Sequence, residues 1–213
     1  MTKPEQINLI ESIEDLQLIN GTASDRTLLK KLGKLDQHAE QFIARSPFLV
    51  LATSSNEGVD STPRGDAPGF VKVIDETTLL IAERPGNRIA DSLRNIMANP
   101  ELGLLLMIPG MNETLRVNGR GYVTDHPLYL EQLIERGKLP KLAIIVDVTE
   151  VFFHCPKAYV RSKLWDPAEH MNRGDLPTLG KMLLEQVTGA ASTPEAAREL
   201  DQHLLDDVEN NLY

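Results

Sequence analysis

The chain has 213 residues, 41% hydrophobic and 25% charged, with 22 basic against 31 acidic side chains and a net charge of −9. That length supports one substantial domain with appendages around a buried core. The acidic balance argues against general affinity for nucleic acid or anionic lipid, both of which need a basic face. A single cysteine, Cys155, excludes an internal disulfide and suits a reducing compartment. No secretory h-region opens the chain and no apolar run approaches a membrane span, so a cytoplasmic protein without membrane contact is expected.

Residues 4–20 are acidic and weakly periodic and predict a short helix or ordered arm. "SDRTLLKKLGKLDQHAEQFIARS" then predicts one helix capped by Ser24 or Asp25, with a stripe through Leu28, Leu29, Leu32, Leu35, Ala39, Phe42 and Ile43 that Pro47 ends. "FLVLATS" reads as an apolar strand, "NEG" as a hairpin turn and "VDSTPRG" as the partner strand. Pro63 cannot donate to a ladder, which ends that strand or puts it at an edge. "FVKVI", "DET" and "TLLIA" predict a second hairpin. A helix is expected from about Asn87 to Ala98, then strands at "LGLLLMI" and "TLRVNGRGYVT". A short helix at "HPLYLEQLIERGK", a long strand at "AIIVDVTEVFFHC", a helical turn at "PKAYVRSKLW" and acidic helices complete the chain. Strands joined by tight turns make an antiparallel sheet, and about seven of them can close a barrel.

Three stretches resist a purely structural explanation. In "ERPGNR", Asn87 is expected to cap the helix, with Arg88 at its first position and Ile89, Leu93, Ile96 and Met97 on its buried face. Arg84 and Arg88 would then crowd a helix end that already carries partial positive charge, a conflict that a bound anion relieves. The competing explanation is pairing with Glu83 and Asp91 at the surface. "STPRGDAPGF", with two prolines, two glycines and an Arg64–Asp66 pair, does not suit a plain ladder, so its backbone groups need other partners or form an ordinary loop. "HCPKAYVRSKLWDP" carries the only tryptophan, Trp165, which suits either a flat ligand or a core cap.

These stretches occur in the order "SPFLVLATS", "PRGDAPGF", "ERPGNR…DSLRNI…NP", "ETLRVNG" and "FFHCPKA…RS.LWDP". In that order the chain resembles the pyridoxamine 5'-phosphate oxidase-like flavoproteins, the FMN-binding split-barrel superfamily, over roughly residues 24–180. The resemblance implies a mainly β (α+β) fold, an antiparallel six- to seven-stranded split β-barrel with flanking helices. It implies an N-terminal arm or short helix at 1–23, the FMN-binding domain at 24–180 and a helical extension at 181–213. It also implies a homodimer holding FMN at the subunit interface. By the same resemblance Arg84, Asn87 and Arg88 grip the FMN phosphate, and Pro63, Arg64, Gly65 and Asp66 line the flavin ring. Arg161, Ser162 and Trp165 come from across the dimer, and Thr114 and Arg116 lie next to the cofactor.

The true oxidases of this group carry an Arg-x-His pattern that binds the substrate phosphate. The matching zone here, "HCPKAYVRS", lacks it, which argues against pyridoxamine phosphate as substrate. The expected activity is that of an FMN-dependent oxidoreductase, with NADH or NADPH as a candidate electron donor and no dedicated acid–base residue assigned. The alternatives are a flavin carrier without turnover, or the same fold holding haem or a deazaflavin. "GRG" is not a dinucleotide fingerprint, since it lies in a strand and lacks the third glycine. The five histidines have no metal-ligand spacing, so no metal site is expected. His154 and Cys155 are expected on opposite faces of a strand, with Cys155 a buried small hydrophobe.

Overall fold

The computed structural model describes residues 8–213; residues 1–7, part of the expected arm, lie outside the described residues. Helices α1 (Ile13–Asn20), α2 (Asp25–Leu29) and α3 (Gln37–Ile43) precede a hairpin of β1 (Phe48–Ser55) and β2 (Gly58–Gly65). A second hairpin, β3 (Lys72–Asp75) and β4 (Thr78–Glu83), leads to α4 (Asp91–Ala98), β5 (Glu101–Met107) and β6 (Thr114–Thr124). Then come α5 (Pro127–Leu130), β7 (Leu142–His154), α6 (Lys157–Ser162), α7 (Leu179–Thr188) and α8 (Pro194–Asn210).

All seven strands form one antiparallel sheet in the order β2-β1-β5-β6-β7-β4-β3. Its two edges, β2 and β3, do not bond to each other, and that gap is the split of the barrel. Alternation along the strands sends Leu49, Leu51, Leu79, Ile81, Leu104, Leu106, Leu115, Val117, Ile144 and Val146 inward to one core. Each such side chain contributes roughly 1.5–3 kcal/mol of burial. A smaller cluster of Leu80, Ala82, Leu130, Leu133 and Ala143 lies on the opposite face of β4 and β7, beneath α5.

Between Asn118 and Gly119 the β6–β7 register slips by one residue, a bulge. A Cβ on Gly119 would overlap the carbonyl oxygen of Asp147, and one on Gly121 would lie 2.6 Å from Leu102 and 3.1 Å from Ile96. The "GRG" run is thus the place where β6 passes close against β7 and α4.

Four expectations are corrected. The single helix over residues 24–46 is two, because Leu32 leaves the helix to exchange backbone bonds with Val151 (3.0 and 2.8 Å), and Asp36 then caps α3 afresh. As a result Leu28 and Leu29 are exposed. Ser61–Gly65, expected not to suit a plain ladder, continue the β2 ladder through Pro63, opposite Val50, to Gly65; Pro63 fits because β2 is an edge strand, one of the two positions expected for it.

The third correction concerns α4. It begins at Asp91, four residues after Asn87, with Ala90 at the N-cap and no side-chain cap. Its buried face is Ser92, Leu93, Asn95 and Ile96, while Ile89 and Met97 are exposed. Two polar anchors set this start. Ser92 Oγ donates to Thr62 on β2 (3.0 Å), and Asn95 Nδ2 donates to Thr53 on β1 (3.2 Å) and Asp60 on β2 (2.5 Å). Last, β7 ends at His154, so Cys155 lies beyond the strand and is exposed.

Candidate functional site

Of the twelve expected site residues, eight line two separate clefts and four, Asp66, Arg88, Ser162 and Trp165, line neither. The first cleft, of about 450 Å³, lies where β2, the end of β4 and the start of α4 converge. Pro63, Arg64, Gly65, Arg84 and Asn87 line it. Its ion pairs cross the split. Arg64 on β2 pairs with Glu83 on β4, and Arg84 Nε donates to Asp66 at 2.8 Å. Neither the Arg64–Asp66 bridge nor pairing of Arg84 and Arg88 with Glu83 and Asp91 forms, because the barrel's curvature sets the end of β2 against the end of β4. Asp66 does not line the cleft; its side chain is 2% exposed and holds Arg84 from behind. Arg64 Nε is buried with no hydrogen-bond partner, a condition native interiors seldom tolerate without a ligand or water.

The loop between β4 and α4 is strained. Arg88 and Ala90 have φ of 62° and 61°, a left-handed conformation that costs a non-glycine residue on the order of 1–2 kcal/mol. The side-chain oxygen of Asn87 accepts from the amide of Ile89 (3.0 Å), forming a turn rather than a helix cap. The amides at the start of α4 have no side-chain cap and face a cleft that two arginines line, the arrangement by which helix starts hold anions. Asp91 and Glu83 also line the cleft, the latter neutralised by Arg64. Arg88 is exposed, and its guanidinium has no partner among the described residues.

Asp66 binds more than Arg84. Its carboxylate also accepts from the Ala67 amide (2.8 Å) and from the hydroxyl of Tyr213 (2.7 Å), the last residue of the chain. Burial alone would raise its pKa, but the bonds from Tyr213, Ala67 and Arg84 outweigh burial and hold it below the ordinary value. A carboxyl whose pKa is lower folded than unfolded stabilises the fold fully above the unfolded value, about 4, and loses that contribution as pH falls through the folded value. The wild-type protein is therefore expected to lose more stability below about pH 4 than Asp66→Asn does. Urea midpoints of both proteins across that window check this; parallel curves would show that Asp66 is not the group responsible.

The second cleft, of about 570 Å³, lies on the outer face of β1, β5 and β6 and is walled by α6. Its floor is apolar, with Val50, Ala52 and Leu105 half-buried. Its rim carries Arg116, Lys157, Arg161 and His154, and no carboxylate lines it. Burial, then the charges of Arg116 and Lys30, lower the pKa of His154 and keep it neutral at neutral pH. Cys155 shares this cleft with His154, contrary to the expected opposite faces, because the strand has ended between them.

Thr114, Arg116 and Arg161 line this second cleft, whereas Ser162 and Trp165 stand behind it. Ser162 donates to the Tyr159 carbonyl (3.2 Å), and Trp165 stacks on the Tyr159 ring (5.8 Å, 17°) while its indole N–H donates to the Met111 carbonyl at 2.7 Å. Residues the sequence did not flag are Ala90 and Tyr213 around the first cleft and Lys157 and Tyr159 in the second. Lys157 and Tyr159 lie inside the stretch "HCPKAYVRSKLWDP" without having been singled out, Ala90 falls between two motif segments, and Tyr213 is 147 positions from Asp66. Among the described residues no cluster of three His, Cys, Asp or Glu side chains suits a metal, and no helix is long and apolar enough to cross a membrane.

A family model described as pyridoxamine 5'-phosphate oxidase matches residues 35–155, the stretch that contains every strand and nearly all of the first cleft. No curated protein matches the chain. Similar solved structures include HupZ of Group A Streptococcus (18% identity, covering 56% of this chain and 93% of that one, TM-score 0.46). Others are an FMN-binding protein of Syntrophomonas wolfei (15% identity, 67% and 92%, TM-score 0.45) and General Stress Protein 26 of Bacillus anthracis (16% identity, 55% and 94%, TM-score 0.37).

Proposed function

The chain belongs to the pyridoxamine 5'-phosphate oxidase family, and from that premise we propose that it is an FMN-dependent oxidoreductase working as a homodimer in the cytoplasm. The observation that carries the proposal is the first cleft, lined by the Arg84 guanidinium, the uncapped start of α4 and Arg64, whose buried Nε has no partner. A dianionic phosphate would answer Arg84 and the helix start, and the flavin ring would answer Arg64. Arg84, Asn87 and the first residues of α4, with Arg88 from the adjoining loop, would hold that phosphate, and Pro63, Arg64 and Gly65 would lie beside the ring.

When bound, the flavin supplies the hydride and electron chemistry. The protein's share is positional and electrostatic: the Arg64 guanidinium would favour negative charge on the ring. The second cleft completes the site from the other subunit. Its floor is a half-exposed apolar sheet face, extended by Phe48 (37% exposed) and Met107, that a second copy would cover. This docking brings Arg116, Arg161 and the Tyr159–Trp165 stack to the flavin, and it accounts for site residues divided between two clefts of one chain.

The absence of the Arg-x-His pattern from the zone "HCPKAYVRS" argues against pyridoxamine 5'-phosphate as the substrate. The test has two steps. Denaturing the purified protein is expected to release FMN, one per subunit, and anaerobic NADH or NADPH is expected to bleach the bound flavin, with air restoring it. A protein that stays colourless when FMN is supplied in excess removes the proposal. Bound haem or deazaflavin replaces the ligand, and flavin that no reductant bleaches leaves a carrier.

A further inference from the structure

The acidic C-terminal extension has its own packing. α7 and α8 lie against each other, with the Gly180 amide donating to Asp201 at 2.7 Å and room for no Cβ at Gly180. The chain then returns to the barrel at its last residue. Tyr213 donates its hydroxyl to Asp66, and two cations lie over its ring, Arg84 at 5.6 Å and Arg136 at 4.9 Å from the centroid. Asp66 takes the Nε of Arg84, and the Arg84 guanidinium lies over the Tyr213 ring. What remains of Arg84 without a protein partner is its pair of Nη groups, and Arg84 lines the first cleft.

We infer that Tyr213 is a positioning residue: with Asp66 it locks the Arg84 guanidinium so that its Nη groups meet an anion, making the end of the chain part of the phosphate site. This rests on the cofactor reading above. A tail that merely tidied the surface would not need a hydroxyl on a carboxylate that is 2% exposed and a ring on the same arginine that this carboxylate orients.

Full-length Tyr213→Ala and Tyr213→Phe are titrated with FMN and with riboflavin, which has the ring but no phosphate. Tyr213→Ala is expected to bind FMN about tenfold more weakly and Tyr213→Phe, which keeps the ring, about threefold, since both contacts act on the phosphate only through Arg84 and only part of their own worth reaches the ligand. Riboflavin affinity is expected to stay the same in all three proteins. Unchanged or tighter FMN binding in Tyr213→Ala, or equal loss for FMN and riboflavin, overturns the inference.

A second measurement needs no flavin. The Nε–H proton resonance of Arg84, assigned by its loss in Arg84→Lys, is expected to exchange slowly in wild type and Tyr213→Phe and quickly in Tyr213→Ala. Equal exchange in all three overturns the positioning role. Failure of wild type to bind FMN while this pattern holds overturns the cofactor reading alone.

Discussion

Arg84→Ala combined with Arg88→Ala is expected to leave a folded protein that binds FMN at least about a hundredfold more weakly. A hydrogen bond to a charged group is worth roughly 1.5–3 kcal/mol, so removing two from a phosphate costs about 3–6 kcal/mol, on the order of 10²–10⁴ in affinity. The fold tolerates the change. The Arg88 guanidinium touches nothing among the described residues, and without Arg84 the Asp66 carboxylate still accepts from Tyr213 and Ala67. The stability cost is therefore about 1–2 kcal/mol against a typical total of roughly 5–15.

Arg88→Gly separates the two roles. Glycine removes the penalty of the left-handed backbone at φ 62°, so this variant is expected to gain on the order of 1 kcal/mol of stability while still losing FMN affinity. Flavin fluorescence titration and thermal unfolding of the same samples measure both. FMN affinity equal to wild type in the double variant would place the phosphate elsewhere.

Gly119→Ala is expected to be the most damaging single-methyl change in the barrel. The added Cβ would overlap the Asp147 carbonyl oxygen and lie 3.1 Å from its carbon, and backbone cannot rotate aside as a side chain can. Relief requires β6 and β7 to part at their bulge, where Thr149 Oγ1 also donates to the Asn118 carbonyl at 3.2 Å. A loss of about 3–5 kcal/mol follows, within reach of the whole stability of a domain. Gly33→Ala is the matched control: nothing lies within 4 Å of its Cβ, and a change within about 0.5 kcal/mol is expected. Urea unfolding of the two variants decides; a Gly119→Ala midpoint equal to that of wild type would mean the strands separate freely there.

The strand order along the chain was legible because its signals are local. Alternating apolar residues in "FLVLATS" and "TLRVNGRGYVT", turn residues between them and β-branched runs in β7 each act over a few positions. The arginine-bearing loop was legible as a candidate anion site for the same reason, since charge at a strand-to-helix junction is visible in the text.

What the local text could not decide was settled by contacts between distant segments. Leu32 fits a helix stripe by spacing, yet its backbone bonds to Val151, and that bond ends the helix. Asn87 suits a helix cap or a tight turn equally well. Ser92 and Asn95 reaching β1 and β2 choose between them and move the helix start to Asp91. Arg64 is two residues from Asp66 and Arg84 adjoins Glu83, but closure of the barrel exchanges the partners.

By itself, then, the amino-acid sequence determined the elements, their antiparallel order and the residue types of the candidate anion site, because propensity, periodicity and turn chemistry act over neighbouring positions. Only the tertiary structure decided which arginine meets which carboxylate, that the site residues divide between two clefts, and that Tyr213 reaches Asp66. Those outcomes depend on how a curved sheet brings remote segments together, and no short stretch of sequence carries that curvature.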